Sequence, residues 1–482
     1  MKKSLSITIL AALMFVGIFN SCKKTSNEIR NIYVPPVVVA HPVAPGDICG
    51  TISGTMTTGN TYNVICDITI NAGDTLWLQP GVTVCVKNKS TIIVKGALIS
   101  LGTQAQPNWF TVCDVSKINS VSQSESQATD PAWNNGQGWW TGINCDTSCT
   151  LLVLKWTHVE FTGASFPITE NFVGGTQGAT SKGILFQNPN GDFIMEDSWM
   201  YGSIDDAIRL SSGHCSIMRN TFEKAGYVGG DCVNIKSGSV GDVAYNLFIG
   251  TATNGSKASN KGGISPQCNI NMYNNTYVDG GYRQASTGRG ANINYEQGAR
   301  GMIYNNLVVN CKYGIRVVFS PIADTANMSY GFNYIYCDSI AEMEQIYPTG
   351  YITRPECYVV PIPSHTGYIY NPSGAVAYND DSLTGRNNPM FVNFPLPEAG
   401  ITNLFDINYV TPGTLPPFTS TNGSSFDFHL QSGSPALGIG TTAFSPLNVI
   451  SSGVKATSYA PIVTPPNKDM GCYPIDGSGN QH

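Results

Sequence analysis

The sequence predicts an all-β fold, a right-handed parallel β-helix (a solenoid) held by a ladder of asparagines. Three observations carry that prediction. Short strands recur with period two, an asparagine-led tripeptide recurs between them, and the composition suits turns better than helices. Only 12% of residues are charged while glycine numbers 51, and Val, Ile, Tyr and Thr come in short runs broken by Gly and Asn.

The chain opens on Met1-Lys2-Lys3 and an apolar run from Leu5 to Ile18, the pattern of a signal peptide. The run is shorter than the roughly 20 apolar residues a membrane span needs. It ends in Phe19-Asn20-Ser21-Cys22, which resembles the lipobox of bacterial lipoproteins. That resemblance implies lipid attachment at Cys22 and a place in the cell envelope, as an outer-membrane lipoprotein on the periplasmic face or the cell surface. The alternative is an ordinary signal peptide cut near Ser21. Residues 1–21 are therefore expected to be the signal peptide, and 22–47, with Pro35, Pro36, Pro42 and Pro45, an extended tether. Residues 48–482 are expected to form the β-helix, with no second domain. The membrane would be touched only through the lipid.

Removing Lys2 and Lys3 with the signal shifts the net charge from −6 to −8, a poor balance for binding nucleic acid. A monomer is expected. Of the 14 cysteines, most read as small buried hydrophobes, with Cys145 and Cys149 as the one local pair placed for a disulfide. Neither a doubled cysteine pair nor nearby histidines support zinc.

The repeat lies between residues 181 and 336. Its strands are Gly183-Ile184-Leu185-Phe186, Ala207-Ile208-Arg209-Leu210, Cys232-Val233-Asn234-Ile235, Gly263-Ile264-Ser265-Pro266, Asn292-Ile293-Asn294-Tyr295 and Gly314-Ile315-Arg316-Val317. Ile184, Ile208, Val233, Ile264, Ile293 and Ile315 should point inward and stack. The second element of each unit begins at Asp197, Asn220, Asn246, Asn275, Asn306 and Asn333. These asparagines are expected at a tight turn, where Asn tolerates left-handed backbone and its amide can bond the next coil. Residues 120–137 read as a polar loop between coils.

Coils of this kind resemble the pectate-lyase-like right-handed parallel β-helix superfamily. The stretches Ile70–Leu76, Pro80–Val84 and Gly96–Ile99 resemble the first coils of bacterial members. Asn388–Asn393, Phe426–Leu430, Gly433–Leu437 and Asp469–Tyr473 resemble their C-terminal part. One scaffold carries many functions, so activity must be argued from a site.

The richest cluster follows from the register. Asp206 and Asp231 each precede an inward residue by two and fall on one rung of adjacent coils, with Asp205 beside them. Carboxylates about 5 Å apart repel unless a cation lies between them, and calcium suits such an oxygen-rich site. Arg209 and Asn234 stack outward, with Lys236 two positions on. This is the equipment of a calcium-dependent polysaccharide lyase acting on a uronic-acid glycan: Lys236 as base, Arg209 to neutralise the substrate carboxylate. Asn234-Ile235-Lys236-Ser237 resembles, with Ile235 inserted, the Asn-Lys-Ser segment of the alginate-lyase and chondroitinase-B type. Asn234, Arg283, Arg316 and Trp133 are the expected substrate contacts, and an extracellular polysaccharide the partner. Two alternatives stand beside this. Asp205-Asp206 with Gly213-His214 resembles elements of polygalacturonase-like hydrolases, which use paired carboxylates. A non-catalytic glycan-binding or structural cell-surface solenoid would use the same surface.

Overall fold

Strands of two or three alternating residues cannot bury both ends alone, so they gain stability only by stacking. The computed structural model shows that stacking. It describes residues 41–113, 136–166, 178–227, 229–284, 286, 289–317, 321–337, 388–396 and 426–481. Cys22 and Trp133 lie outside them.

Within the repeat each strand pairs in parallel with the strand three along, so one coil contributes three strands and the solenoid has three faces. On the first face Ile184–Phe186, Ile208–Leu210, Val233–Ile235, Ser256–Ser259, Ala291–Glu296 and Tyr313–Val317 follow one another. The second face carries Leu151–Lys155, Asp192–Glu196, Gly213–Met218, Ser239–Ala244, Asn269–Tyr273, Gly301–Tyr304 and Met328–Gly331. The third carries Thr157–Glu160, Trp199–Tyr201, Thr221–Glu223, Leu247–Ile249, Thr276–Val278, Leu307–Val309 and Tyr334–Tyr336. The result is a nearly closed, all-β solenoid of parallel sheets.

Inward residues stack in register. Ile184, Ile208, Val233, Ile293 and Ile315 are all fully buried. Phe222, Phe248 and Tyr277 form a column of nearly parallel rings with centroids 5.0 and 4.8 Å apart. The expected strand Gly263–Pro266 is a correction. The first-face strand of that coil is Ser256–Ser259, and Ile264 is 44% exposed. The inward position is Ser256, whose hydroxyl lies 2.7 Å from that of Tyr277. A large ring from the third face fills the space an isoleucine would have taken, so the inward residue here is small.

The turn between second and third faces also differs from expectation. The left-handed residue is the one before each asparagine: Arg219, Tyr245, Asn274, Asn305 and Phe332 all have positive φ. The asparagine's amide works instead as a cap. Asn246 Oδ1 accepts the backbone N–H of Asn220 at 3.0 Å and its Nδ2 at 2.9 Å. Asn275 does the same for Asn246, Asn306 for Asn275 and Asn333 for Asn306. Each Nδ2 also reaches a carbonyl of the coil before, as Asn246 does to Ile217 at 3.0 Å. Because these groups are buried, Asn275→Ala strands two donors of Asn246. A loss of about 3 kcal/mol is expected at roughly 1–3 kcal/mol per orphaned group. Urea unfolding measures it, and a change below about 0.5 kcal/mol would contradict the capping role.

Two disulfides, Cys49–Cys66 and Cys85–Cys113, join early coils. Cys145 and Cys149 are free and buried with six others, so the expected local bridge is absent. The stacking core accepts these thiols as apolar filler. The C-terminal segment runs along the second face as a strap. Asp242 receives the N–H groups of Leu447 and Asn448, Lys155 donates to Ala460 O, and Arg219 donates to Ile462 O and Thr464. The segment Asp427–Leu430 pairs antiparallel with Phe391–Asn393. Their rings join Leu247, Val278 and Leu307 in a separate apolar cluster.

Candidate functional site: a cationic pocket on the first face

Outward positions of the first face form a column across five coils. Arg209, Asn234, Lys257, Asn294 and Arg316 are register partners in that order. Their strands are pinned by the inward residues between them, so the column is rigid and its side chains face one direction. Beside it lies a cavity of about 390 Å³, lined by Lys236, Lys257, Lys261, Arg289, Arg316 and Glu296, with Asn254 and Gln297. Five cations against one carboxylate gather on a protein whose overall charge is −6. Lys257 pairs with Glu296 at 3.0 Å, and although burial opposes it, this ammonium holds Glu296 below the usual carboxylate range. Arg316 donates to Asn294 Oδ1 at 3.3 Å.

Lys236 is the unusual group. Burial, then the charges of Lys257 and Arg209, bring its ammonium down to about 8. Desolvation and like charge both disfavour the protonated form, so this lysine is close to a usable base near neutral pH.

The three aspartates expected to hold calcium do something else. Asp206 is buried, and its Oδ2 accepts Arg209 Nε at 2.7 Å, Arg209 Nη2 at 2.6 Å and Asn234 Nδ2 at 2.9 Å. Its Oδ1 accepts the N–H of Asp231 at 2.9 Å. Against the burial cost, the Arg209 and Lys182 charges hold Asp206 below its usual range. Asp231 Oδ1 takes the backbone N–H of Asn254 at 3.1 Å and its Nδ2 at 2.6 Å, and burial pushes this carboxyl up. Asp205 receives Lys182 and the N–H of Asp206; burial, with the Asp206 charge, raises it. Five of the six oxygens are spent on protein donors. Among the described residues, no group of three or more His, Cys, Asp or Glu side chains stands ready for a metal ion. The trio does not fit calcium, which wants six to eight free oxygen ligands.

The other expected residues separate. Arg209 is on the column, but its guanidinium is committed to Asp206. Asn234 is one rung on, next to Lys257. Arg316 lines the cavity. Arg283 does not: it is 4% exposed and spends its donors on the carbonyls of Ala225, Gly226, Tyr227 and Gly250, a clamp between loops. His214 lies on the second face, 3.2 Å from Asp192, whereas Asp205 and Asp206 lie in the turn that leads into the first-face strand Ile208–Leu210. Lys257, Lys261, Glu296, Gln297 and Asn254 were not singled out in the sequence. The signal for them was the true strand of that coil: with Ser256 aligned to Val233, Lys257 falls beside Asn234 at once.

The fold and the pocket together define a solenoid with a basic recess on one face. Compared with family models, curated proteins and solved structures, the chain matches none of them.

Proposed function

We propose that this protein is an exported right-handed parallel β-helix of the pectate-lyase-like kind, with an asparagine ladder, that cleaves an anionic, uronic-acid-containing polysaccharide by β-elimination. The observation that carries the reading is the cationic cavity with Lys236 on its wall at about 8. An acidic chain concentrates five cations there, which favours a polyanion over a neutral glycan. The capping asparagines support the family likeness, and the parallel coils support the scaffold.

The chemistry follows from which groups line the cavity. Arg316 and Arg289, with Lys257, would take the uronate carboxylate, the role expected of Arg209, whose guanidinium instead holds Asp206. Neutralising that carboxylate acidifies the adjacent C–H. Lys236 Nζ, as the neutral amine, takes this proton. The electron pair forms the new carbon–carbon double bond, the glycosidic C–O bond breaks, and the departing oxygen takes a proton from water. No metal enters these steps.

A screen against pectate, alginate, glycosaminoglycans and neutral glycans tests the reading. The unsaturated product absorbs in the near ultraviolet, so its appearance, unaffected by chelator, is the expected result. New reducing ends without that absorbance would mean hydrolysis, and retention without cleavage a binding protein; either would displace the lyase. Export rests on residues outside the described structure. A labelled fatty acid is expected to mark the wild type and spare Cys22→Ala, and equal labelling would remove the lipid anchor.

A further inference from the structure

The pocket is almost entirely a wall of donors. Lysine and arginine offer only N–H groups, and Glu296 is engaged by Lys257 and Asn294. Asn254 and Gln297 add amides, and of the two Asn254 is the buried one. It lines the cavity and is 2% exposed. Its amide orientation is decided by a neighbour, because Asp231 Oδ1 already accepts the Asn254 backbone N–H at 3.1 Å and serves the side chain as an acceptor too. Asn254 Nδ2 therefore faces Asp231 at 2.6 Å, and Oδ1 is turned away from it. That oxygen is buried and has no hydrogen-bond partner. One coil earlier the arrangement repeats: Asp206 holds Asn234 Nδ2 at 2.9 Å, and Asn234 Oδ1 is likewise buried without a donor. A buried acceptor left unmade costs free energy that a bound donor recovers, so both carboxylates act by positioning an amide.

We propose that Asn254 is a specificity-determining residue, whose Oδ1 accepts a hydrogen bond from a hydroxyl on the sugar whose anionic group lies against Lys257 and Arg316. This rests on the anionic-glycan reading and adds to it. Cations select for charge and read little else, whereas one fixed acceptor in a donor-lined recess selects for a sugar with a free hydroxyl at one position. Glycans O-acetylated there lose the donor, and Asn254 is left unpaired against them. Sites built to bond a substrate hydroxyl reject analogues lacking it strongly. Asp231 is a positioning residue in this scheme, holding the amide in the accepting orientation.

The test is a cycle of protein against ligand on the full-length protein. Binding of pectate, alginate and hyaluronan is measured by calorimetry, each unmodified and after chemical O-acetylation of its hydroxyls. Wild type is expected to bind at least one unmodified polymer and to bind its acetylated form on the order of 100-fold more weakly. Asn254→Leu keeps the bulk of the side chain and removes the acceptor. It should bind unmodified polymer more weakly, and its preference should fall to a few-fold. A Leu variant that still discriminates on the order of 100-fold overturns the proposal, since steric exclusion of the acetyl group then explains the preference. If wild type binds no polyanion, the anionic-glycan reading fails and this inference with it. If wild type binds without discriminating, only this inference fails. Should Asn254→Leu fail to fold, Asn254→Ala decides by the same comparison. Asp231→Asn is the second arm: a neutral amide there no longer fixes Asn254, and discrimination should drop while the solenoid still melts cooperatively. Discrimination unchanged in Asp231→Asn would remove the positioning role.

Discussion

Replacing Lys236 by alanine is expected to lower turnover on the cleaved polyuronate by about 10²- to 10⁴-fold, the usual worth of a positioned base. Binding should change by only a few-fold, because Lys257, Lys261, Arg289 and Arg316 still line the cavity. In the proposed β-elimination the reactive form is the neutral amine. The rate should therefore climb with pH and level off above about 8, where Lys236 has lost its proton. Lys236→Arg keeps the charge and abolishes the base, so it should bind normally and turn over as poorly as alanine. Lys257→Met removes one of the like charges that depress Lys236, so the midpoint of the pH profile should move upward. The same depression has a cost in stability. The folded protein holds this proton less tightly than the unfolded chain, so between about 8 and the ordinary 10.5 stability rises with pH and the penalty disappears. At neutral pH the penalty is present, and Lys236→Met should raise Tm while abolishing turnover. A Lys236→Ala enzyme with unchanged kcat would reject this base outright.

The elements that were legible in the sequence were those in which packing repeats a residue type. Ile208, Val233, Ile293 and Ile315 occupy one inward column because an aliphatic side chain fills the space inside those coils, and their period-two spacing advertises it. The asparagines from Asn220 to Asn333 recur because one amide must satisfy a donor on the coil before. Ser256 broke the pattern, since Tyr277 had already filled its space from another face. No local rule records a contact between residues so placed, and the neighbouring Ile264 offered a false match. The error then moved the candidate site. With the strand misplaced, Lys257 went unnoticed, and the aspartates looked like a bare acidic cluster. In register they are acceptors, Asp206 and Asp231 facing a guanidinium or a side-chain amide and Asp205 the Lys182 ammonium.

The strap was less legible still. The stretch from Ala460 to Asn467 holds Pro461, Pro465 and Pro466, which favour extended chain and withhold N–H donors. Nothing in that composition says where such a chain lies. Its position is fixed by residues far back in sequence, Lys155, Glu196, Arg219 and Asp242, whose outward direction on the second face follows only from the register.

Arg219→Met is expected to be the most destabilising single change among the described charged residues, at about 3–5 kcal/mol, the cost of breaking a buried ion pair from one side. Arg219 is 4% exposed and grips Asp197 with two bonds of 2.8 and 3.0 Å. It stands 3.4 Å from Glu196, and donates to Ile462 O at 2.7 Å and Thr464 at 2.6 Å. Glu196 also meets Lys155 at 3.1 Å and receives the Ile462 N–H. Without the guanidinium, Glu196 keeps Lys155 while Asp197 loses both of these bonds, and the strap loses two of its attachments. The surface pair Lys87–Asp47, each side chain roughly half exposed, makes the control: removing it should leave the urea midpoint almost unchanged, because solvent screens such a pair. Two measurements read the outcome. Urea unfolding gives the stability loss, and limited proteolysis should cut between residues 452 and 465 in the variant before it cuts the coils. Adding Asp197→Leu to Arg219→Met should recover part of the loss, because it removes the stranded charge. If the single variant unfolds at the wild-type midpoint, or if the second substitution deepens the loss, the network does not hold the strap. Turnover per folded molecule should be unaffected, since the strap lies on the second face and the pocket on the first.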